Sequence, residues 1–158
     1  MNFNSPLKNN FIVKIVVIVF SIISPFLMCC YGELPSLSSY WSTPIQPLFI
    51  GSNILTSILL FNVPKWKLSA ILLFLLTCFS VEYYESLHNI FAVLFFVVNL
   101  YPMYTLKKYR IFSLIYLMCV VWTPSLLWIE IHGIIVLCFY HLFVLVSYNK
   151  IQKKRKSL

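Results

Sequence analysis

Six apolar runs, separated by short polar breaks, make up most of this chain. A helix needs about 20 mostly apolar residues to cross a membrane. The pattern therefore predicts an all-α integral membrane protein, a single bundle of about six transmembrane helices within residues 1–149, with short breaks making successive helices antiparallel neighbours. Five spans are the alternative, with two of the shorter runs forming a re-entrant pair. The predicted spans are residues 11–30, 48–63, 68–81, 87–104, 111–122 and 131–148.

The first run and the break after it need separate interpretation. A basic start before an apolar run also fits a signal peptide, but Lys14 interrupts the run and no small-residue cleavage site follows it. A permanent membrane anchor is therefore the favoured interpretation. The break at residues 31–46 is rich in proline and serine, which prevent a regular helix, and Tyr40 and Trp41 are residue types that settle among lipid headgroups. We predict a loop lying on the membrane surface.

Charged residues are sorted between the breaks. All twelve Lys and Arg lie before or within the first span, in the second and fourth breaks, or in the C-terminal tail. Cytoplasmic loops collect Lys and Arg, so the pattern predicts that both termini are cytoplasmic. The rule holds equally for a bacterial cytoplasmic membrane and for a eukaryotic internal or plasma membrane. The first, third and fifth breaks hold the four acidic residues, Glu33, Glu82, Glu85 and Glu130.

Composition agrees with a membrane protein and excludes two other classes. Hydrophobic residues make up 61% of the chain and charged residues 10%, whereas soluble domains carry about a quarter charged residues. The net charge of +8 does not indicate nucleic-acid binding, because nucleic-acid binders cluster Lys and Arg on a folded face and here they follow the breaks. We expect membrane lipids, a membrane-protein partner or a second copy of the chain as partners, and no nucleic acid.

Candidate chemistry is confined to the predicted outer side. Glu85 and His88 have the Glu-x-x-His spacing that places two metal ligands on one helix face in di-iron bundles. Together with Glu82 and His132, they form a candidate set of metal ligands for an ion such as zinc. If the protein is an enzyme, Glu85, His88 and Glu130 are the candidate catalytic residues. The alternative is that the outer acids only face water, and we expect no cofactor in that case.

The C-terminal tail and His88 are the remaining polar features of the chain. The C-terminal tail, residues 150–158, would be attracted to anionic lipid by about 1 kcal/mol per basic residue near the surface, or would act only as a topology anchor. His88 opens an apolar run, and ionisable residues within spans tend to face the bundle interior. The candidate lipid-surface residues are Lys150, Lys153, Lys154, Arg155 and Lys156.

Three stretches of the chain resemble a known family. They are LPSLSSYWSTPIQPLFIGSNI before and into the second span, LHNIFAVLFFVVNLY in the fourth, and the glutamate at the start of the last span. In these the chain is similar to the six-span family of the damage-regulated autophagy modulator, which includes yeast Sfk-type proteins and small bacterial relatives. The resemblance implies a six-span architecture and a set of corresponding positions, Ser36, Ser38, His88 and Glu130.

These observations lead to three functional hypotheses. The first is a non-enzymatic multi-pass protein that organises lipids or partner proteins. The alternative is a small metal-dependent membrane hydrolase with an outward-facing Glu/His site. The third, a channel or transporter, fits less well, because the spans offer few polar residues to line a path and no inverted pair of broken helices.

Overall fold

The computed structural model describes residues 11–123 and 125–156, with side chains at all of these positions except 64 and 150–156. This part of the chain is helical and contains no strand, which confirms the all-α prediction there. Three short 3-10 turns accompany the helices, at Leu37–Ser42, Pro64–Trp66 and Lys107–Tyr109. The α-helices are α1 (Phe11–Cys29), α2 (Gln46–Phe61), α3 (Lys67–Cys78), α4 (Val81–Thr105), α5 (Ile111–Trp122) and α6 (Leu126–Lys156).

Three of these helices are long and apolar enough to cross a membrane: α1, α4, and α6 over Leu126–Asn149. The other three are shorter. The 12 residues of α3 or α5 rise about 18 Å at 1.5 Å per residue, less than the roughly 30 Å of a hydrocarbon core. The crossing of the membrane by all six helices therefore stays a prediction.

Two helices begin at least a full turn earlier than the sequence pattern predicts. Helix α4 starts at Val81 rather than at residue 87, because the Ser80 hydroxyl accepts the Glu82 and Tyr83 N–H groups at 3.2 and 3.4 Å and caps the helix. The helix is interrupted at Tyr84, whose φ of −135° and ψ of 42° are not helical. Helix α6 starts at Leu126 rather than 131 and continues beyond residue 148 to Lys156, so the basic tail extends this helix.

The helices form an incomplete ring. Helix α1 packs against α2 and α6, α3 lies between α2 and α4, and α5 lies against α6. Helices α1 and α2 are also joined by a hydrogen bond between the Ser21 and Thr56 hydroxyls at 2.7 Å. Packing of α4 against α5 and α6 is sparser, and a cleft remains between these three helices.

The two ends of the bundle differ in charge. At one end, Lys65 donates to the Thr105 hydroxyl at 3.3 Å, and Arg110 donates to the Tyr104 carbonyl at 3.0 Å. At the other end, Ser42 donates to the Glu82 carboxylate at 3.3 Å. We call these the basic end and the acidic end.

Gly133 in α6 leaves room for aromatic side chains from α4 and α5 to contact the α6 backbone. A Cβ atom at Gly133 would lie 2.8 Å from the Phe96 ring and 3.4 Å from the Tyr116 ring. We expect Gly133→Ala to lower the free energy of unfolding in detergent by about 1–3 kcal/mol, the usual cost of overpacking. Gly51→Ala is the matched control, because a Cβ at Gly51 meets nothing within 4 Å and alanine favours a helix by about 0.5–1 kcal/mol over glycine. A stabilising Gly133→Ala would contradict this packing.

Candidate functional site: a polar corner beside an apolar cleft

The loop between α1 and α2 is held in place at the acidic end. Its 3-10 turn is capped by Ser36, whose hydroxyl accepts the Ser39 N–H at 3.3 Å. Trp41 donates its indole N–H to the Thr77 carbonyl at 3.2 Å. The Tyr40 hydroxyl donates to the Gly32 carbonyl at 2.6 Å, and burial, with the neighbouring Cys29 thiol, raises the pKa of Tyr40 to about 12. We call residues 35–42 the serine turn.

Glu130 fixes the serine turn to α6. Its carboxylate accepts the backbone N–H of Leu37 at 2.7 Å, and the side chain is only 7% exposed. The Leu127 N–H adds a second link by donating to the Pro35 carbonyl at 3.1 Å. Glu130 therefore does not simply face water. It is buried, and its carboxyl group has the hydrogen-bonding partner that burial requires.

His88 fixes the same turn to α4. Its Nε2 lies 2.7 Å from the Ser38 hydroxyl and its Nδ1 lies 2.6 Å from the Phe79 carbonyl oxygen. The ring is 1% exposed. Phe79 follows the last residue of α3, so one imidazole joins the serine turn, α4 and the end of α3. His88 lies about one turn after the interruption of α4 at Tyr84, which places its ring beside Ser38.

The four positions implied by the family resemblance, Ser36, Ser38, His88 and Glu130, lie together at the acidic end, and we call this group the polar corner. Ser36 and Ser38 belong to one turn, His88 bonds Ser38, and Glu130 bonds the residue between the two serines. Of the four candidate metal ligands, only His88 belongs to this group. Glu82, Glu85 and His132 are all exposed, and His132 lies 6.0 Å from the Trp128 ring centroid.

No metal-binding group of three or more His, Cys, Asp or Glu side chains occurs among the described residues. Glu82 and Glu85 do not lie on one regular helix, because the helix is interrupted at Tyr84 between them. His88 has both ring nitrogens within hydrogen-bonding distance of protein oxygens, which leaves neither nitrogen open to an ion in this arrangement. A zinc site therefore stays a prediction that the geometry of these residues does not favour.

His141 and the C-terminal tail lie away from the polar corner. The ring of His141 is buried, with its centroid 4.4 Å from that of the Trp66 ring, and lies near Lys65 at the basic end. The backbone of the tail is helical to Lys156. The side chains of the candidate lipid-surface residues, Lys150, Lys153, Lys154, Arg155 and Lys156, lie outside the described part of the structure.

An apolar cleft of about 500 Å³ runs between α4, α5 and α6 and ends at the polar corner. Such a volume is within the range of about 300–1,000 Å³ for small-molecule sites. The polar side chains that line the cleft are Ser36, Ser38, Asn89 and Glu130. Tyr116 of α5 also lines it. Apolar lining residues include Ala92, Val93, Phe96, Val97, Leu117 and Val120. Several of these are exposed, including Val93 and Val97 on α4, so the cleft opens to the surface of the bundle beside α4.

Sequence reasoning missed two parts of this site. Asn89 was not singled out, although it follows His88 directly. Ser38 was named only through the resemblance, and its bond to His88 joins residues 50 positions apart in the chain. The one signal in the sequence was a serine-rich loop together with an ionisable residue at the start of an apolar run. Comparison with protein-family models, curated proteins and solved structures gives no match for this chain.

Proposed function

We propose that this chain is a six-crossing membrane protein that binds one lipid molecule in the cleft between α4, α5 and α6. The observation that carries the proposal is the shape and lining of the cleft, which is apolar along α4, α5 and α6 and ends at hydroxyl, amide and carboxyl groups. A lipid has the same form, with an acyl chain joined to a polar ester and headgroup. This proposal refines the lipid-organising role among the hypotheses drawn from the sequence.

The separation of charge supports an orientation in which the basic end is cytoplasmic. Lys65 and Arg110 lie at one end of the bundle and Glu82 at the other, as expected for successive antiparallel helices that obey the positive-inside rule. The shorter α3 and α5 would then be accommodated by local thinning of the bilayer at modest cost. The polar corner lies in this orientation at the outer leaflet.

The charge at the acidic end favours a particular lipid class. The chain has no Lys or Arg in the three breaks that hold its glutamates, so the polar corner offers no cation to a lipid phosphate. Glu82 and Glu85 are exposed beside it. Attraction between opposite charges therefore favours a headgroup with a cationic amine, and we propose a zwitterionic aminophospholipid in preference to an anionic lipid.

Photo-crosslinking tests this function. The protein in lipid nanodiscs would be irradiated with a phosphatidylethanolamine that carries a diazirine in its acyl chain, and the crosslinked peptides mapped by mass spectrometry. We expect crosslinks on α4 and α5 at the cleft. Val97→Trp should lower the yield about tenfold by filling the cleft, a change equivalent to about 1.4 kcal/mol of binding. Leu94→Trp is the matched control, because Leu94 is also exposed on α4.

The result that contradicts the proposal is crosslinking spread evenly over the exposed helix faces, with Val97→Trp and Leu94→Trp equal in effect. A phosphatidylglycerol probe with the same acyl chain tests the headgroup preference. Stronger cleft crosslinking by this anionic lipid would overturn the assignment to an aminophospholipid.

A further inference from the structure

The hydrogen bonds of His88 determine which nitrogen carries its proton. The Phe79 carbonyl oxygen, 2.6 Å from Nδ1, accepts hydrogen bonds and cannot donate one. Nδ1 must therefore hold a hydrogen. In the neutral ring Nε2 then has a free lone pair, and the Ser38 hydroxyl donates to it at 2.7 Å. The Ser38 Oγ–H is thus directed at a base.

We propose that Ser38 is a nucleophile and His88 its general base, and that together they cleave an ester of the lipid bound in the cleft. The inference rests on the proposed lipid-binding function and names a reaction for the same site. Ser38 lines the cleft, whereas His88 lies behind it and is almost completely buried. The acyl substrate therefore reaches the hydroxyl first, as a nucleophilic serine requires.

This arrangement has the three parts of an activated serine: a nucleophile, a base within hydrogen-bonding distance, and a third group that orients the base. In serine hydrolases the third group is commonly a carboxylate that fixes the tautomer of the histidine. The Phe79 carbonyl fills that position here. The Ser38–His88 pair needs no metal ion, unlike the outer Glu/His site expected from the sequence.

The reaction balances with water as the only co-reactant. Ser38 Oγ forms a bond to the ester carbonyl carbon while Nε2 of His88 takes the hydroxyl proton. The tetrahedral intermediate then loses the lipid alcohol as its C–O bond breaks, and His88 returns the proton to that oxygen. The acyl group is left as an ester on Ser38. A water molecule attacks it, with His88 again receiving and returning one proton, and this step releases a fatty acid and regenerates the serine.

Position relative to the membrane agrees with this chemistry. His88 lies four residues after the interruption of α4 at Tyr84, or about 6 Å along the regular part of the helix at 1.5 Å per residue. Lipid ester groups lie between the headgroups and the hydrocarbon core, and the polar corner is at the corresponding end of an otherwise apolar cleft. An acyl chain that occupies the cleft therefore brings its ester towards Ser38.

The test is covalent labelling of the full chain in nanodiscs with a hexadecyl fluorophosphonate, which reacts with activated serines. We expect one adduct, mapped by mass spectrometry to the peptide that contains Ser38. Ser38→Ala should abolish it, and His88→Gln should slow it by about 100-fold or more, the usual contribution of a general base. Ser42→Ala is the control that keeps labelling, because Ser42 lies on the same 3-10 turn but is exposed and bonds Glu82.

Mapping the fluorophosphonate adduct in the unsubstituted chain tests whether Ser38 is the nucleophile, even where a variant fails to fold. An unlabelled chain, or an adduct on another residue, would overturn the proposal. Cleft crosslinking by the photoactivatable lipid without labelling of Ser38 would overturn the reaction and leave the lipid site intact. Labelling of Ser38 without cleft crosslinking would support the nucleophile and overturn the lipid site. Release of fatty acid from phosphatidylethanolamine by the chain, lost in Ser38→Ala, would establish the full reaction.

Discussion

Replacement of Glu130 with alanine should lower the free energy of unfolding by about 2–3 kcal/mol. The carboxylate accepts the Leu37 N–H at 2.7 Å in a buried position, and loss of the acceptor leaves that N–H without its partner. An orphaned buried donor costs about 1–3 kcal/mol, and the space left by the side chain adds to it. Unfolding of the detergent-purified protein by sodium dodecyl sulfate, followed by circular dichroism, measures this change.

Two controls separate the hydrogen bond from a general effect of losing an acid. Glu130→Gln keeps a side-chain oxygen as acceptor, so it should cost less than Glu130→Ala. Glu85 is exposed at the same end, and Glu85→Ala should change stability by no more than about 0.5 kcal/mol. Equal losses for Glu85→Ala and Glu130→Ala would show that the buried hydrogen bond does not hold the serine turn.

The helices could be predicted because their signal is local. Each apolar run is long enough to be recognised without knowledge of its neighbours, and every predicted span overlaps a helix. The helix ends were less predictable. The start of α4 depends on the Ser80 cap rather than on hydrophobicity, and the start of α6 places Glu130 inside a helix where the sequence pattern suggested a break.

The candidate site could be predicted only in part because its contacts are long-range. The sequence identified His88 and Glu130, since ionisable residues at the edges of apolar runs are rare and often have specific partners. It placed His88 in a candidate metal site with Glu82, Glu85 and His132 and made Glu130 a candidate catalytic residue, because spacing along the chain was the only geometry that the sequence offered. Their actual partners come from the serine turn, and no local pattern shows which loop packs against which helix.

The same contacts explain why the first loop is not simply a surface loop. Tyr40 is fully buried and Leu37 and Ser38 are nearly so, although the prolines and serines around them prevent a regular helix. Helix α6 supplies partners for two backbone groups of the loop, the Leu37 N–H and the Pro35 carbonyl, as burial of an irregular segment requires. The Trp41 and Ser38 side chains add hydrogen bonds to the end of α3 and to α4. A loop held so firmly is suited to position a reactive hydroxyl, because catalysis requires its groups to be held in place by their surroundings.

Replacement of His88 with leucine should lower the free energy of unfolding by about 2–4 kcal/mol. Leucine fills much of the space of the ring but leaves both the Phe79 carbonyl and the Ser38 hydroxyl without their partner, and each orphaned buried group costs about 1–3 kcal/mol. Ser38→Ala orphans only one buried group, Nε2 of His88, and leaves the bond to Phe79, so we expect a smaller loss of about 1–2 kcal/mol. Denaturation in the same detergent measures both variants.

The double variant Ser38→Ala/His88→Leu tests whether the two residues act as a pair. Groups in direct contact have coupling energies of about 0.5–3 kcal/mol, so the double variant should be less destabilised than the sum of the two single variants. Additive losses would show that the 2.7 Å contact contributes nothing to stability. Ser38→Ala should cost less stability than His88→Leu while it removes the proposed nucleophile. A folded Ser38→Ala protein that no longer reacts with the fluorophosphonate therefore separates the chemical role of Ser38 from its structural one.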